Sequence, residues 1–196
     1  MRNFQRTILP VIILGFFCSK DARSQSLVDK WLSHQVTVHY PDHTVIAVVK
    51  PTGSVAIQSN ATYYWCSGNQ INVTQGGYSG KLLNGNYQDF YLNKNLKETG
   101  AFKHGLKTGI WKSWTDTGIL KDQYAYQNGR KKGAYIKYDA SGKLLEKGNY
   151  KQGFLSGTQI TMIGDSAVVV YYHQGKIRPK KNLVPRFIRD VFINKK

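Results

Sequence analysis

Five histidines, two cysteines and 11 Asp+Glu are the groups this 196-residue chain could use for proton transfer, nucleophilic attack or metal binding. Of His34, His39, His43, His104 and His173, only His39 and His43 share a neighbourhood, with Asp42 between them beside Pro41. A metal site needs a second ligand group to complete its shell, so these residues are expected to serve turn hydrogen bonding, with no metal and no cofactor. In Gly153-Phe-Leu-Ser-Gly157 the serine is misplaced for a nucleophile elbow. Neither a phosphate-binding loop nor a dinucleotide fingerprint occurs. The acids are scattered, and no carboxylate pair suggests itself for glycosidic or proteolytic work. Cys66, beside Trp65, reads as a small buried hydrophobe rather than a reactive thiol. The expectation is a chain that holds a ligand and is not an enzyme.

The elements that would present a binding surface are written in a repeat. Segments 78–100, 102–124, 126–148 and 150–172 align at a period of 24 residues. Each opens on an aromatic (Tyr78, Phe102, Tyr126, Tyr150) and carries a glycine seven residues later (Gly85, Gly109, Gly133, Gly157). An earlier glycine stands at Gly105, Gly129 and Gly153, moved to Gly80 in the first copy. Two ring positions follow, Tyr87, Trp111 and Tyr135, then Phe90, Trp114 and Tyr138; Gln159 and Met162 replace them in the last copy. A third glycine, Gly118 or Gly142, precedes Leu120 or Leu144 by two residues, and Lys94 and Ser166 take its place in the outer copies. Fixed glycines mark tight turns, and Asn128-Gly129, Asp116-Thr-Gly118 and Ala140-Ser-Gly142 punctuate short β-rich runs, so each unit reads as two strands and two turns. The paired rings lie three residues apart, which on a regular strand places them on opposite faces. Either a bulge returns both to one side or the sheet carries rings on both faces.

Ordering 24 residues costs roughly 24–48 kcal/mol of backbone entropy, far more than three or four buried rings return at about 1.5–3 kcal/mol each. A lone unit should not fold, and neighbours must share ladders and ring contacts. The expected fold is all-β: an elongated single-layer antiparallel sheet of tandem β-hairpins over 78–175, preceded by a β-rich cap region over 26–77. The pattern Tyr-x-x-Gly-x-x-x-Gly-x-Trp-x-x-Trp/Tyr followed by Gly-x-Leu, as in 102–120 and 126–144, resembles the MORN-repeat variant of bacterial proteins, a group of which is labelled as antitoxins. The resemblance covers 78–175. It implies an interaction or membrane-proximal module and supplies no catalytic residues.

In the cap region, 35–40 and 44–50 read as strands joined through Pro41-Asp-His43, 54–58 as another, and 63–78 as a degenerate repeat. Leu27, Trp31 and Leu32 have helical spacing over 26–34. Residues 1–25 read as a secretory signal: Arg2 and Arg6, an apolar run over 8–17, then Ala22-Arg23-Ser24 before the cut. Cys18 falls inside it, beside Phe17 where an acylation signal wants a small residue, and Cys66 then has no disulfide partner. The formal charge of +17, from 28 Lys+Arg and 11 Asp+Glu, becomes 24 − 10 = +14 without residues 1–24. Localisation is expected to be exported: periplasm, cell envelope or secreted.

The charge gathers in two places. Residues 101–153 hold eleven basic residues against Asp116, Asp122, Asp139 and Glu146, which suits solvated edges that resist aggregation. Residues 176–196 hold Lys176, Arg178, Lys180, Lys181, Arg186, Arg189, Lys195 and Lys196 against Asp190. There Val184, Phe187, Ile188, Val191 and Phe192 recur at helical spacing with Pro185 in the first turn, drawing an amphipathic C-terminal helix for capping the last hairpin or for an anionic membrane surface or acidic partner. Export makes nucleic acid an unsuitable ligand. The expected partner is a protein or cell-envelope polymer, met by the rings Tyr87, Phe90, Trp111, Trp114, Tyr135 and Tyr138. The alternative, from the resemblance alone, is an envelope-located immunity or antitoxin-like protein that neutralises a toxin or effector.

Overall fold

The computed structural model describes residues 33–51 and 55–178. They form fourteen strands: β1 (His34–His39), β2 (His43–Val49), β3 (Thr62–Ser67), β4 (Gln70–Gln75), β5 (Lys81–Tyr91), β6 (Leu96–Lys103), β7 (Leu106–Trp114), β8 (Leu120–Gln127), β9 (Arg130–Tyr138), β10 (Leu144–Lys151), β11 (Phe154–Leu155), β12 (Gly157–Ile163), β13 (Ser166–His173) and β14 (Lys176–Ile177). All pair antiparallel in one open sheet whose main path is β1-β2-β5-β6-β7-β8-β9-β10-β12-β13-β14, with β11 paired to β10 and the β3–β4 hairpin attached to β5 through β3. No helix occurs among the described residues.

Two turn types alternate along the array, as the glycine spacing requires. His104-Gly105, Asn128-Gly129, Gln152-Gly153 and Gln174-Gly175 have positive φ at both positions, the two-residue hairpin turn whose twist matches its strands. At the other end of each hairpin Gly118 and Gly142 take the left-handed position and donate to the carbonyls of Thr115 and Asp139. Lys94 adopts that same conformation at φ 67° and donates to Tyr91, so the first copy keeps a regular hairpin without its glycine. The fourth copy turns at Gly164 instead, ahead of Ser166.

The remaining repeated glycine serves a bulge. Between Ala47↔Tyr87 and Val49↔Leu83 the β5 side holds two extra residues, with Gly85 at φ 136° facing Val48. A Cβ there would lie 2.9 Å from that of Val48. The same excess recurs at Gly109 and Gly133.

Consecutive repeats are tied by hydrogen bonds of matching offset. Gly105, Gly129 and Gly153 each donate N–H to a carbonyl 22 residues earlier, on Leu83, Lys107 and Lys131, at 2.8, 2.9 and 2.9 Å. A turn therefore loses its partner when the preceding unit is absent, the interdependence expected of stacked repeats.

The cap region departs from a simple continuation. β2 pairs with β5, while the β3–β4 hairpin joins only the first two residues of β5 and packs Tyr64, Cys66 and Ile71 onto one face of the main sheet. Val45, Ala47, Val49, Leu83, Phe102 and Trp111 form the core beneath it. On the other side of β3, Tyr63 is buried with Ala61, Leu82 and Leu106. The β3–β4 hairpin thus lies as a second layer over the start of the single sheet, because a short hairpin rich in rings buries them best by folding over. The strand expected over 54–58 does not form at 55–58.

Lys176 and Ile177 belong to β14, so the array runs past residue 175 and the C-terminal segment does not begin as a helix there. The signal over 1–25, most of the helix drawn over 26–34 and the helix drawn from Val184 lie outside the described residues; His34 already belongs to β1.

Candidate functional site

One face of the sheet carries a row of rings and charges that repeats with the units. Cross-strand register places Ala47, Tyr87, Gly100, Trp111, Tyr124, Tyr135 and Gly148 on that face. Phe102, Tyr126 and Tyr150 stand one pleat away on the same side. Ring centroids follow one another at 5.4 Å (Tyr87–Phe102), 4.9 Å (Phe102–Trp111), 6.3 Å (Trp111–Tyr126) and 6.4 Å (Tyr126–Tyr124). Tyr124 then stacks on Tyr135 at 5.5 Å and 7°, and Tyr135 meets Tyr150 at 5.0 Å. Gly100 makes this possible, since its missing side chain leaves the backbone bare beneath the Trp111 indole.

Charged side chains lie over the rings in repeat register. Lys107 Nζ is 3.7 Å from the Trp111 centroid and 2.9 Å from Glu98 Oε1. Twenty-four residues on, Lys131 Nζ is 3.7 Å from the Tyr124 centroid and 5.1 Å from that of Tyr150. Farther along, Tyr135 donates its hydroxyl to Glu146 at 2.6 Å, Gln159 donates to the Tyr135 oxygen at 3.0 Å, and Lys137 reaches Glu146 at 3.4 Å.

Burial alone would push Glu146 upward, yet the Tyr135 hydroxyl, the Gln159 amide and Lys137 together hold its carboxyl below the usual range. Burial raises the phenols of Tyr87, Tyr126 and Tyr135, so all three remain neutral. At the covered end burial also raises Asp89, against the opposing pull of Lys97 at 3.4 Å. Burial lowers Lys131. The ionisable groups of this face are mostly spent on one another.

The six rings expected to meet a partner divide. Trp111 and Tyr135, 2% and 1% exposed, belong to the packed interior of the face and offer no free surface. Tyr87, Phe90, Trp114 and Tyr138 are half-buried. The three-residue spacing resolves into rings on both faces. A bulge is present, but its extra residue, Lys97, Lys121 or Leu145, lies on the neighbouring strand. Between the two rings, side chains on β5, β7 and β9 therefore alternate normally, and Phe90, Trp114 and Tyr138 fall opposite Tyr87, Trp111 and Tyr135.

Of the basic C-terminal residues, Lys176 and Arg178 are exposed, and Arg178 donates its N–H to Tyr171 O at 2.8 Å. Lys180, Lys181, Arg186, Arg189, Lys195 and Lys196 lie outside the described residues. His43 stacks on Tyr40 at 4.4 Å and bonds Asp42 at 2.6 Å, while His39 bonds Thr44 at 3.1 Å, so this cluster is occupied in its own turn. Burial pushes the Cys66 thiol up.

Residue positions alone missed the change along this face. Over its first part the β3–β4 hairpin covers it; at β12–β13 its side chains Ile163 (64% exposed), Val168 (43%) and, on β14, Ile177 (69%) are open. The available signal was the uncharged run Ser166-Ala-Val-Val-Val-Tyr-Tyr172, which breaks the lysine-rich pattern of the earlier strands.

Sheet and face together define a tandem β-hairpin repeat protein with a ring-and-lysine surface. Residues 131–152, the third hairpin and its junction to the fourth, match the family model described as MORN repeat variant. No curated protein and no solved structure matches the chain.

Proposed function

We propose that this protein is an exported, non-catalytic binding or scaffold module whose uncovered sheet face receives a protein partner. The observation that carries the reading is the unequal covering of one continuous face. Where β3–β4 lies over it, Phe102 and Trp111 are core; where it continues onto β12 and β13, Ile163 and Val168 stand exposed. Exposed apolar side chains continuous with a ring row favour a partner that covers them as the hairpin covers their counterparts. Glu98 with Lys107, and Glu146 with Lys137 and Tyr135, leave these groups committed to structure, which supports holding over reacting. Export rests on the basic, apolar and small-residue order of residues 1–25.

A photo-crosslinking residue placed at Val168 or Tyr150, on the ring face, is expected to capture one partner in native envelope fractions. The same residue at Lys147, exposed on the opposite face, should not. Equal capture from both faces, or none from either, would refute the reading. Mass spectrometry of the native chain tests export separately, and an intact Met1 would exclude signal cleavage.

A further inference from the structure

The second and third repeats each place the equivalent lysine over a ring, Lys107 over Trp111 and Lys131 over Tyr124, but do not treat them alike. Lys107 is neutralised by Glu98 at 2.9 Å. Glu98 and Gly100 close the first repeat; at their positions the second repeat has Asp122, one methylene shorter, and Tyr124, which rises where Gly100 leaves the face open. No carboxylate pairs with Lys131 among the described residues, and its ammonium rests over Tyr124 with Tyr150 beside it. Removed from part of its water and given two ring faces, an ammonium is stabilised, but less than by a ring and an anion together, as at Lys107. The contrast is internal to the chain: the same fold position, once complete and once lacking its anion.

We propose that Lys131, walled by Tyr124 and Tyr150, is the acceptor for a carboxylate of the partner, an Asp or Glu side chain of a protein segment that also carries apolar residues. This rests on the reading of the ring face as the binding surface and names the chemistry of its ligand. Lys131 is half-buried and on the ring face, and β13, with the exposed Val168, lies three strand spacings from β9, about 14 Å across the sheet. An extended segment covers that span in about four residues. The net charge of +14 after signal removal favours an acidic partner at long range, and the ring-walled ammonium would fix where its carboxylate seats.

The test uses the full mature chain and two probes, acetyl-hexaglutamate amide and its neutral isostere acetyl-hexaglutamine amide, titrated calorimetrically in low salt. The wild type should bind the glutamate peptide and not the glutamine one. Lys131→Gln should weaken glutamate binding by at least about fivefold, the order lost with one desolvated charge-assisted contact. Lys151→Gln, an equal charge change at an exposed lysine of the opposite face, should weaken it less than about twofold. Lys131→Met retains an unbranched apolar stem and should reproduce the loss if Lys131→Gln proves unstable. Equal losses at 131 and 151 would mean adventitious charge attraction and overturn the assignment, as would unchanged binding in both Lys131 variants. Crosslinking from Val168 that persists alongside that result would leave the binding face standing and remove only its carboxylate site.

Discussion

Gly100→Ala should be among the most damaging single substitutions in the array, although it adds one methyl group and requires no unusual φ. The new Cβ would lie 2.2 and 2.3 Å from Cδ2 and Cε2 of Trp111, where ordinary contacts begin near 3.4 Å. The indole must therefore retreat by more than about 1 Å from a close-packed site. Its exits are blocked: Lys107 Nζ lies 3.7 Å from the ring centroid, Phe102 4.9 Å and Tyr87 5.4 Å away, and Nε1 donates to Thr108 O at 3.1 Å. Overpacking alone costs about 1–3 kcal/mol, and full expulsion of a buried Trp about 3–5. We expect close to 3 kcal/mol, a fall of roughly 6–12 °C in melting temperature for a chain of this size. The position itself is not closed to side chains, because the second repeat has Tyr124 there, stacked at 7° on the slimmer Tyr135. The cost must then depend on the indole opposite. Urea unfolding followed by tryptophan fluorescence and far-ultraviolet dichroism measures it, and in a Trp111→Leu background Gly100→Ala should cost less than about 1 kcal/mol. A single variant within about 0.5 kcal/mol of wild type, or additive losses in the double variant, would refute the packing argument.

Lys94→Gly should stabilise the chain by about 0.5–1 kcal/mol in the same unfolding assay, since Lys94 holds φ 67° where the next two hairpins have glycine. Asp89→Asn should raise stability at pH 7 by about 1–2 kcal/mol, because Asp89 is 5% exposed and its Oδ1 has no partner. Burial raises the folded carboxyl above its unfolded value near 3.8, so the charge opposes folding above the folded pKa, and the gain should vanish below pH 3.8. Glu146→Gln should show the reverse dependence. That carboxyl is depressed when folded, so its contribution is present above the unfolded value near 4.5 and is lost as pH falls through the folded one. Thermal melts of both variants between pH 3 and 7 check the two signs together.

What the sequence made legible is what local backbone chemistry controls. A residue pair such as Asn128-Gly129 specifies its turn within four residues, and the 24-residue period repeats that instruction. Hence strand order from β5 onward and the hairpin turns follow from the glycines. What depended on pairing between distant segments did not. The three-residue spacing of Trp111 and Trp114 was ambiguous because the bulge that decides it sits at Lys121, on the neighbouring strand. Likewise, Tyr64 and Trp65 look alike as half of a degenerate repeat. Only the crossover of β3 to the first residues of β5 sends Tyr64 onto Phe102, at 4.8 Å, and makes Trp111 interior.

The same point bears on how the ring face acts. Repetition gives every unit one kind of face, and the pattern by itself cannot say which units will be core and which surface. The distinction is made by what lies on top, here a hairpin that reaches Phe102 and Trp111. Beyond them the residues change in the direction a surface requires: Trp111 becomes Tyr135 and then Gln159, and Glu98 becomes Asp122, which leaves Lys131 without the anion that Lys107 enjoys. At the far end the ring position is held by Gln159, which bonds the Tyr135 hydroxyl rather than adding another ring, while Val168 and Ile163 beside it remain exposed. The array thus carries within one chain both a finished version of its face and an unfinished one, and the finished version indicates what a partner of the unfinished one must supply: apolar cover and one negative charge.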